Sequence, residues 1–309
     1  MESHAPVLLD EALAGLGVKP DGRYVDATFG RGGHARAIYM KLEASGRLLV
    51  VDRDPEAVSA ARQQFGDDPR VQIAHGGFGA LEQLVPAEWA ARGIDGILFD
   101  LGVSSPQLDT AARGFSFTHD GPLDMRMDPG SGPTAAQWLA QVRESDLARV
   151  IHELGEERFA RRIARTIVMR REQAPITRTT ELAEIVAAAV RTRERGKHPA
   201  TRTFQAIRMV LNRELEELER GLAASLALLA PLGRLCVISF HSLEDRAVKQ
   251  FMRRQASVDP VYAGLPDIPA RARPKLRLVG KAVKPGAAEL AANPRARSAR
   301  LRVAEKLAA

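Results

Sequence analysis

The chain has 309 residues, 45% of them apolar and 27% charged, a globular balance that excludes wholesale disorder, collagen and fibrous repeats. Its length suits one large domain or two ordinary ones with a full core, and its single cysteine, Cys236, excludes an intramolecular disulfide and argues against a cysteine-ligated metal. The net charge of +7 is uneven: residues 158–213 and 249–309 each hold 14 Lys and Arg against four acids, leaving −13 on the rest, and two basic blocks on an acidic body suit a polyanionic partner such as nucleic acid.

The first third alternates strand and helix patterns. Arg23–Thr28 reads as a strand ending in a glycine turn, His34–Leu42 as a helix and Gly46–Asp52 as an apolar strand. Pro55–Phe65 is a helix opened by Asp54-Pro55. Arg70–Ala74 is a strand, Phe78–Leu84 is helical and Ile94–Leu101 is a strand. This alternation predicts an α/β fold with a parallel, doubly wound sheet. Gly102–Pro133 is then rich in Gly, Pro, Ser and Asp, and long irregular stretches in compact proteins are usually functional or disordered.

Helical patterns follow at Ala135–Gln141, Ser145–His152, Glu156–Gln173, Thr179–Val190 and Ala200–Leu222. Gly233–Phe240 is strand-like again and precedes a helix at Ser242–Gln255. A resumed strand needs a sheet to join, so an inserted all-helical domain is expected. The expected boundaries are 1–108 and 212–309 for the sheet domain and 109–211 for the insertion. From about Val258, Pro and Arg with little periodicity predict an extended basic C-terminal arm.

No apolar run reaches the ~20 residues of a bilayer span. The start, MESHAPVLLDEAL, has early acids and no signal-length apolar stretch. The expectation is a cytoplasmic protein with no membrane partner.

The turn Asp26-Ala27-Thr28-Phe29-Gly30-Arg31-Gly32-Gly33-His34 leaves a strand and opens a helix. Glycines there allow close backbone approach, and the helix start offers unpaired N–H groups. Asp52 ends the next strand 20 residues after Gly32, the spacing at which a carboxylate takes ribose hydroxyls. A tight turn with an incidental acid is the plainer alternative. The turn is not a clean G-x-G-x-x-G, and no G-x-x-x-x-G-K-[ST] is present. Asp26, just before the glycines, would repel a pyrophosphate but suits an amine or sulfonium. This favours S-adenosylmethionine over a nicotinamide dinucleotide, although such acids also cap helices.

Phe99–Asp109 (FDLGVSSPQLD) leaves another strand end, where open α/β sheets bind ligands. Asp26, Asp52 and Asp100 then meet along one sheet edge, which packing alone explains poorly.

Eight ordered segments now carry a resemblance. They are His4–Glu11, Asp26–His34, Val51–Ala57, Phe99–Asp109, Arg113–Phe117, Gly121–Asp128, His198–Arg208 and Ile238–Arg246, with Asn293–Arg302 near the end. Together they resemble the bacterial ribosomal small-subunit RNA methyltransferase H family, also called MraW, from His4 to about Ala304. The resemblance implies a class I, Rossmann-like methyltransferase sheet with an inserted helical domain. It also implies methyl transfer from S-adenosylmethionine to N4 of a cytosine in the decoding region of 16S rRNA. Cofactor residues carried over are Gly32, Gly33 and His34, with Asp26 and Gly30 in the same turn, then Asp52 on the ribose, Phe78 beside the adenine, Asp100 and Gln107. Without the family, Phe78 would read as an ordinary core residue. No metal is implied.

An amino-methyltransferase must draw the delocalised N4 lone pair out of the ring and align it with the donor, so positioning supplies much of the rate. Asp100 and the turn Ser104-Ser105-Pro106 are the candidate catalytic cradle, with cofactor contact as the alternative role of Asp100. Gln107 stands where related loops carry a stacking tyrosine, which leaves base stacking to Phe115 or Phe117. Cys236 lies mid-strand in an apolar run and reads as core, which disfavours cysteine-dependent methylation at C5. In His241-Ser242-Leu243-Glu244-Asp245, Ser242 could cap the helix with Asp245 or border the site. Asp124, Arg126 and Asp128 order a loop over the base or form a local salt-bridged turn. Arg202 and Arg208 are candidate RNA phosphate ligands, ahead of His198.

The expected partner is 16S rRNA within the small ribosomal subunit, with a homodimer left open. A DNA amino-methyltransferase, a non-enzymatic RNA-binding assembly factor and a dinucleotide oxidoreductase are the competing classes. Charge and spacing do not separate RNA from DNA; only the resemblance does.

Overall fold

The computed structural model describes residues 6–190, 198–262, 264, 265 and 267–308. His4 and Ala5 of the first resemblance motif lie outside them, as does 191–197 within the first basic block. The chain divides into two compact units, residues 1–102 with 215–309, and residues 103–214.

The strands are β1 (Arg23–Asp26), β2 (Arg47–Asp52), β3 (Val71–His75), β4 (Ile94–Asp100), β5 (Leu229–Ser239), β6 (Leu276–Leu278) and β7 (Arg300–Lys306). The helices are α1 (Leu9–Leu16), α2 (Gly33–Tyr39), α3 (Pro55–Phe65), α4 (Leu81–Leu84), α5 (Ala87–Arg92), α6 (Ser105–Asp109), α7 (Ala135–Gln141), α8 (Glu144–Gly155), α9 (Ala160–Arg171), α10 (Thr179–Ala189), α11 (Thr201–Leu211), α12 (Glu214–Leu228), α13 (Ser242–Gln255) and α14 (Ala287–Ala292).

In the first unit all seven strands form one sheet, ordered β3-β2-β1-β4-β5-β7-β6. β1 to β5 are parallel, and β7 runs antiparallel between β5 and β6. Period-two alternation assigns the two faces. Val25, Leu49, Val51, Ile97, Phe99, Leu235 and Val237 share a core with Leu81, Trp89, Leu218, Leu222, Val248 and Phe251. Tyr24, Leu48, Val50, Leu98, Cys236 and Ile238 share the other core with Leu8, Ala12, Leu16, Ile38, Ala61 and Phe65. Both faces are therefore covered, as a doubly wound parallel sheet requires. Chain order reverses between β1 and β4, which creates the crevice where open α/β sheets bind ligands.

The second unit is helical, with a core that includes Phe115, Leu123, Leu139, Ile151, Ile163, Ile167, Leu182 and Phe204. The single helix expected over Ala200–Leu222 is two, α11 and α12. Asn212 stops α11: its Nδ2 donates to the carbonyls of Met125 and Arg208, both at 2.8 Å, while its Oδ1 accepts the Met127 N–H at 2.8 Å. Arg213 then takes φ 51°, a left-handed conformation that an α-helix does not continue through.

The extended C-terminal arm is also corrected, because this segment supplies β6, α14 and β7. Three of its arginines find carboxylates that the sequence places far away. Arg300 and Arg302 bind Asp245 of α13, and Arg277, with Arg234 of β5, brackets the buried Glu305. With these charges matched, Leu301 and Ala304 enter the core and β7 covers the edge of β5.

Candidate functional site

The sheet unit brings Asp26, Asp52 and Asp100 to the carboxyl ends of β1, β2 and β4. Register makes them neighbours, since Asp26 pairs with Val50 on one side and Leu98 on the other. Backbone bonds then fix the loop between them. The Ala27 N–H donates to the Leu98 carbonyl at 2.9 Å and the Phe29 N–H to the Val51 carbonyl at 3.0 Å. The Asp100 N–H donates to Thr28 Oγ1 at 2.6 Å.

Asp52 steadies the glycine turn. Its Oδ2 accepts the Gly30 N–H at 2.8 Å and its Oδ1 accepts the Asp54 N–H at 2.8 Å. Gly30 and Gly32 take φ 54° and 74°, a region glycine enters without steric cost. A side chain at Gly32 would run into Phe29 and Gln64, and one at Gly33 into Pro6. The chain's own packing therefore demands glycine at 32 and 33, whatever a ligand adds.

Asp26 is 1% exposed. Its Oδ1 accepts the Thr28 N–H at 3.1 Å, while its buried Oδ2 has no hydrogen-bond partner among the described residues. Burial, reinforced by the charge of Asp52, pushes its pKa up to about 7, against the pull of the Thr28 and Ala35 amides. Asp100 shares the predicament: Oδ1 is buried without a hydrogen-bond partner among the described residues, although the side chain as a whole keeps 26% exposure. Burial, then the charges of Asp26 and Glu244, raises its pKa well above the carboxylate range. Burial raises that of Asp52 as well.

His34, in the first turn of α2, is buried, with Nε2 3.0 Å from the Val7 carbonyl and Nδ1 3.5 Å from Asp100 Oδ2. A carbonyl only accepts, so Nε2 carries the proton and Nδ1 of the neutral ring is an acceptor facing Asp100. Burial lowers the His34 pKa to about 4, so the ring is neutral near pH 7. Two buried carboxylate oxygens without hydrogen-bond partners among the described residues are poised for a cation or an N–H donor.

Phe78 sits at the end of the β3 loop, half-buried and edge-on to Phe99 at 5.4 Å between ring centroids. Sequence reasoning missed its support. Glu217 of α12 accepts the Gly79 N–H through Oε2 at 3.0 Å, and side chains at Gly77 or Gly79 would strike that carboxylate. The signal was present as the glycines flanking Phe78. Their partner lies 138 residues away, beyond local pattern. Sequence also left the cap of α13 between two roles. His241, not Ser242, is its N-cap, in a capping box with Glu244, which releases Asp245 to bind Arg302 and Arg300.

Ser104, Ser105, Pro106 and Gln107 belong to the helical unit and open α6. Gln107 is buried, and its Oε1 accepts the Ser104 N–H at 3.0 Å in a capping box. Asp124 and Arg126 form the local salt-bridged turn, bidentate at 2.7 and 2.8 Å. Phe115 is buried in the helical core, while Phe117 stacks on His198 at 4.6 Å and meets Phe204 edge-on. Arg208, expected on a phosphate, instead binds Glu214 through two bonds of 2.7 and 2.8 Å and is 14% exposed. Arg202 donates to the Glu156 carbonyl at 3.2 Å.

Residues 1–307 match the MraW methylase family over nearly their whole length. The chain belongs to the MraW methylase family. Among solved structures this MraW methylase is similar to a proposed rRNA methylase from Clostridium thermocellum, at 13% identity and TM-score 0.46 over 99% of this chain and 100% of that one. It is also similar to an rRNA methylase from Streptococcus thermophilus, at 13% identity and TM-score 0.42 over 100% and 99%. A third is a proposed methyltransferase from Streptococcus mutans in complex with SAH, at 11% identity and TM-score 0.43 over 99% and 100%. Among the described residues of this MraW methylase, no helix is long and apolar enough to cross a membrane.

Proposed function

We propose that this MraW methylase transfers a methyl group from S-adenosylmethionine to N4 of a cytosine in the decoding region of 16S rRNA, on the assembled small ribosomal subunit in the cytoplasm. The observation that carries the reading is the pair Asp26 and Asp100 at the switch point, each with a buried oxygen that lacks a hydrogen-bond partner among the described residues. Such oxygens fit a cationic cofactor and an amine substrate, and they oppose a pyrophosphate. The order and spacing of the sequence motifs support rRNA as the polymer.

The residues present fit the cofactor. Gly30, Gly32, Gly33 and His34 form its cradle, Asp26 faces its positive end, Asp52 takes its ribose hydroxyls, and Phe78 lies on its adenine. Gln107 is assigned to the cofactor by the motif Phe99–Asp109 alone. Bound S-adenosylmethionine supplies an electrophilic methyl group on a sulfonium. Asp100 accepts a hydrogen bond from the N4 amine and draws its lone pair out of the ring; Ser104, Ser105 and Pro106 are the candidates for aligning the base that the same sequence motif supplies. N4 sheds its proton once methylated, so the chain supplies alignment rather than a strong base. The target base must leave its stack to arrive there. Arg202 remains a phosphate ligand in this reading.

Labelled S-adenosylmethionine offered to unmethylated small subunits, naked 16S rRNA and duplex DNA tests this directly. N4-methylcytidine from subunits is the expected product. Label in DNA alone would retain the chemistry and overturn the ribosomal substrate. Cofactor binding with no transfer to any of the three would point to an assembly factor.

A further inference from the structure

A groove of about 400 Å³ lies between α13 and the returning chain at β6 and β7. Lys249 and Arg253 line it from α13, and Lys281 lines it from the turn after β6, beside Gly280. None of these three cations has a carboxylate partner among the described residues, whereas Arg302 at the same groove is held by Asp245. Three unmatched positive charges around a concave, solvent-open surface call for a polyanion.

Register fixes where this groove stands relative to the reacting end of the sheet. Asp100 pairs with Ile238, Ile238 with Leu301, and Leu301 bridges to Val283. Lys281 is therefore two residues from a position level with Asp100 and three strand spacings across, roughly 14 Å at about 4.8 Å per strand. The groove lies on the unit that carries the cofactor residues, so its distance from Asp100 is set by the sheet.

We propose that this groove is a phosphate-binding site for the RNA strand flanking the target nucleotide, with Lys249, Arg253 and Lys281 as its ligands. This inference rests on the reading of the substrate as RNA. It assigns the second basic block a specific surface: the block's arginines at 300 and 302 fasten β7, and the residues at 249, 253 and 281 hold the polymer. Phosphate contacts of this kind position a strand and do not read its sequence.

The test compares the full-length chain with the triple variant Lys249→Ala, Arg253→Ala, Lys281→Ala. A control removes three exposed cations elsewhere on the unit, Lys41→Ala, Arg62→Ala and Arg92→Ala. The probe is a 16S rRNA decoding-region fragment, titrated over a salt series, with S-adenosylmethionine affinity measured by calorimetry in parallel. Each single-stranded phosphate contact contributes about 0.7 to the logarithmic salt slope. The groove variant should bind RNA tenfold or more weakly, with a slope shallower by about two and unchanged cofactor affinity, while the control stays near wild type. Wild-type affinity and slope in the groove variant would overturn the groove and leave the RNA reading standing. An equal loss in both variants would show that net charge alone matters and would also overturn it. A wild-type chain that binds cofactor but no RNA would overturn the RNA reading and the groove's ligand together.

Discussion

Asp245 and Arg302 face each other as a planar fork, with Nε on Oδ1 at 2.7 Å and Nη2 on Oδ2 at 3.1 Å, across 57 residues of chain. The bond joins the first turn of α13 to β7 and fastens the last two strands of the sheet. Asp245→Asn should lower the unfolding free energy by about 3 kcal/mol, because Arg302 then keeps its charge in a half-buried place without a counterion. Chemical denaturation measures the loss. Amide hydrogen exchange should quicken first across residues 300–306, and uniform exchange in the variant would contradict this role.

Asp100→Asn keeps the shape of the side chain and removes the carboxylate. Methyl transfer should fall about 100-fold or more, the usual cost of losing one preorganised charge-stabilising partner. RNA affinity should stay the same. Full turnover by the variant would remove Asp100 from the cradle.

Asp26 is held protonated up to about 7 in the folded chain, against about 3.9 when unfolded. Between those values the folded state holds the extra proton, so stability declines as pH rises from 4 to 7. Asp26→Asn has no such proton and should flatten that part of the curve. Melting temperatures of both chains from pH 4.5 to 8 make the comparison. Cofactor affinity of the unaltered chain should increase as pH passes 7, since the ionised carboxylate meets a cation. Parallel stability curves would show that Asp26 is already ionised.

In the proposed reading Glu217 is a positioning residue, acting on the cofactor through the loop that carries Phe78. Glu217→Ala should raise the KM for S-adenosylmethionine about tenfold, in line with a lost charged hydrogen bond, with kcat nearly unchanged. Glu217→Gln retains an acceptor for the Gly79 N–H and should recover most of the affinity. A kcat defect without a KM defect would place Glu217 elsewhere in the reaction.

Cys236 is fully buried, and burial pushes its thiol far above the usual range. Cys236→Ala should transfer methyl groups at the normal rate. The thiol should resist alkylation until the chain unfolds. Rapid labelling of the native chain, or loss of transfer in the variant, would reopen cysteine chemistry.

The sheet was legible because buried parallel strands are short apolar runs that end in acids and glycines, as Arg47–Asp52 and Ile94–Asp100 do. The three aspartates were legible for the same reason. The break after Leu211 was not, since nothing in the helical pattern shows that Asn212 will bond Met125 and Met127. The paired state of Arg208 escaped notice too: a basic helix looks the same whether its arginines face phosphate or a carboxylate six residues on. The C-terminal arginines misled most. Charge without periodicity resembles a solvated tail until the acids that neutralise it, Asp245 and Glu305, are placed beside it.

The position of β7 also governs how the chain assembles. Among the described residues β6 pairs only with β7, and β5 depends on β7 along Arg234–Ser239. While β7 is undocked, Leu235–Ser239 presents an uncharged, proline-free edge rich in β-branched residues, the pattern that recruits strands from other molecules. Docking of residues 300–306 thus competes with intermolecular pairing. The Asp245 fork holds that strand in place, so a chain lacking it should aggregate more readily even where its finished fold is stable enough to work.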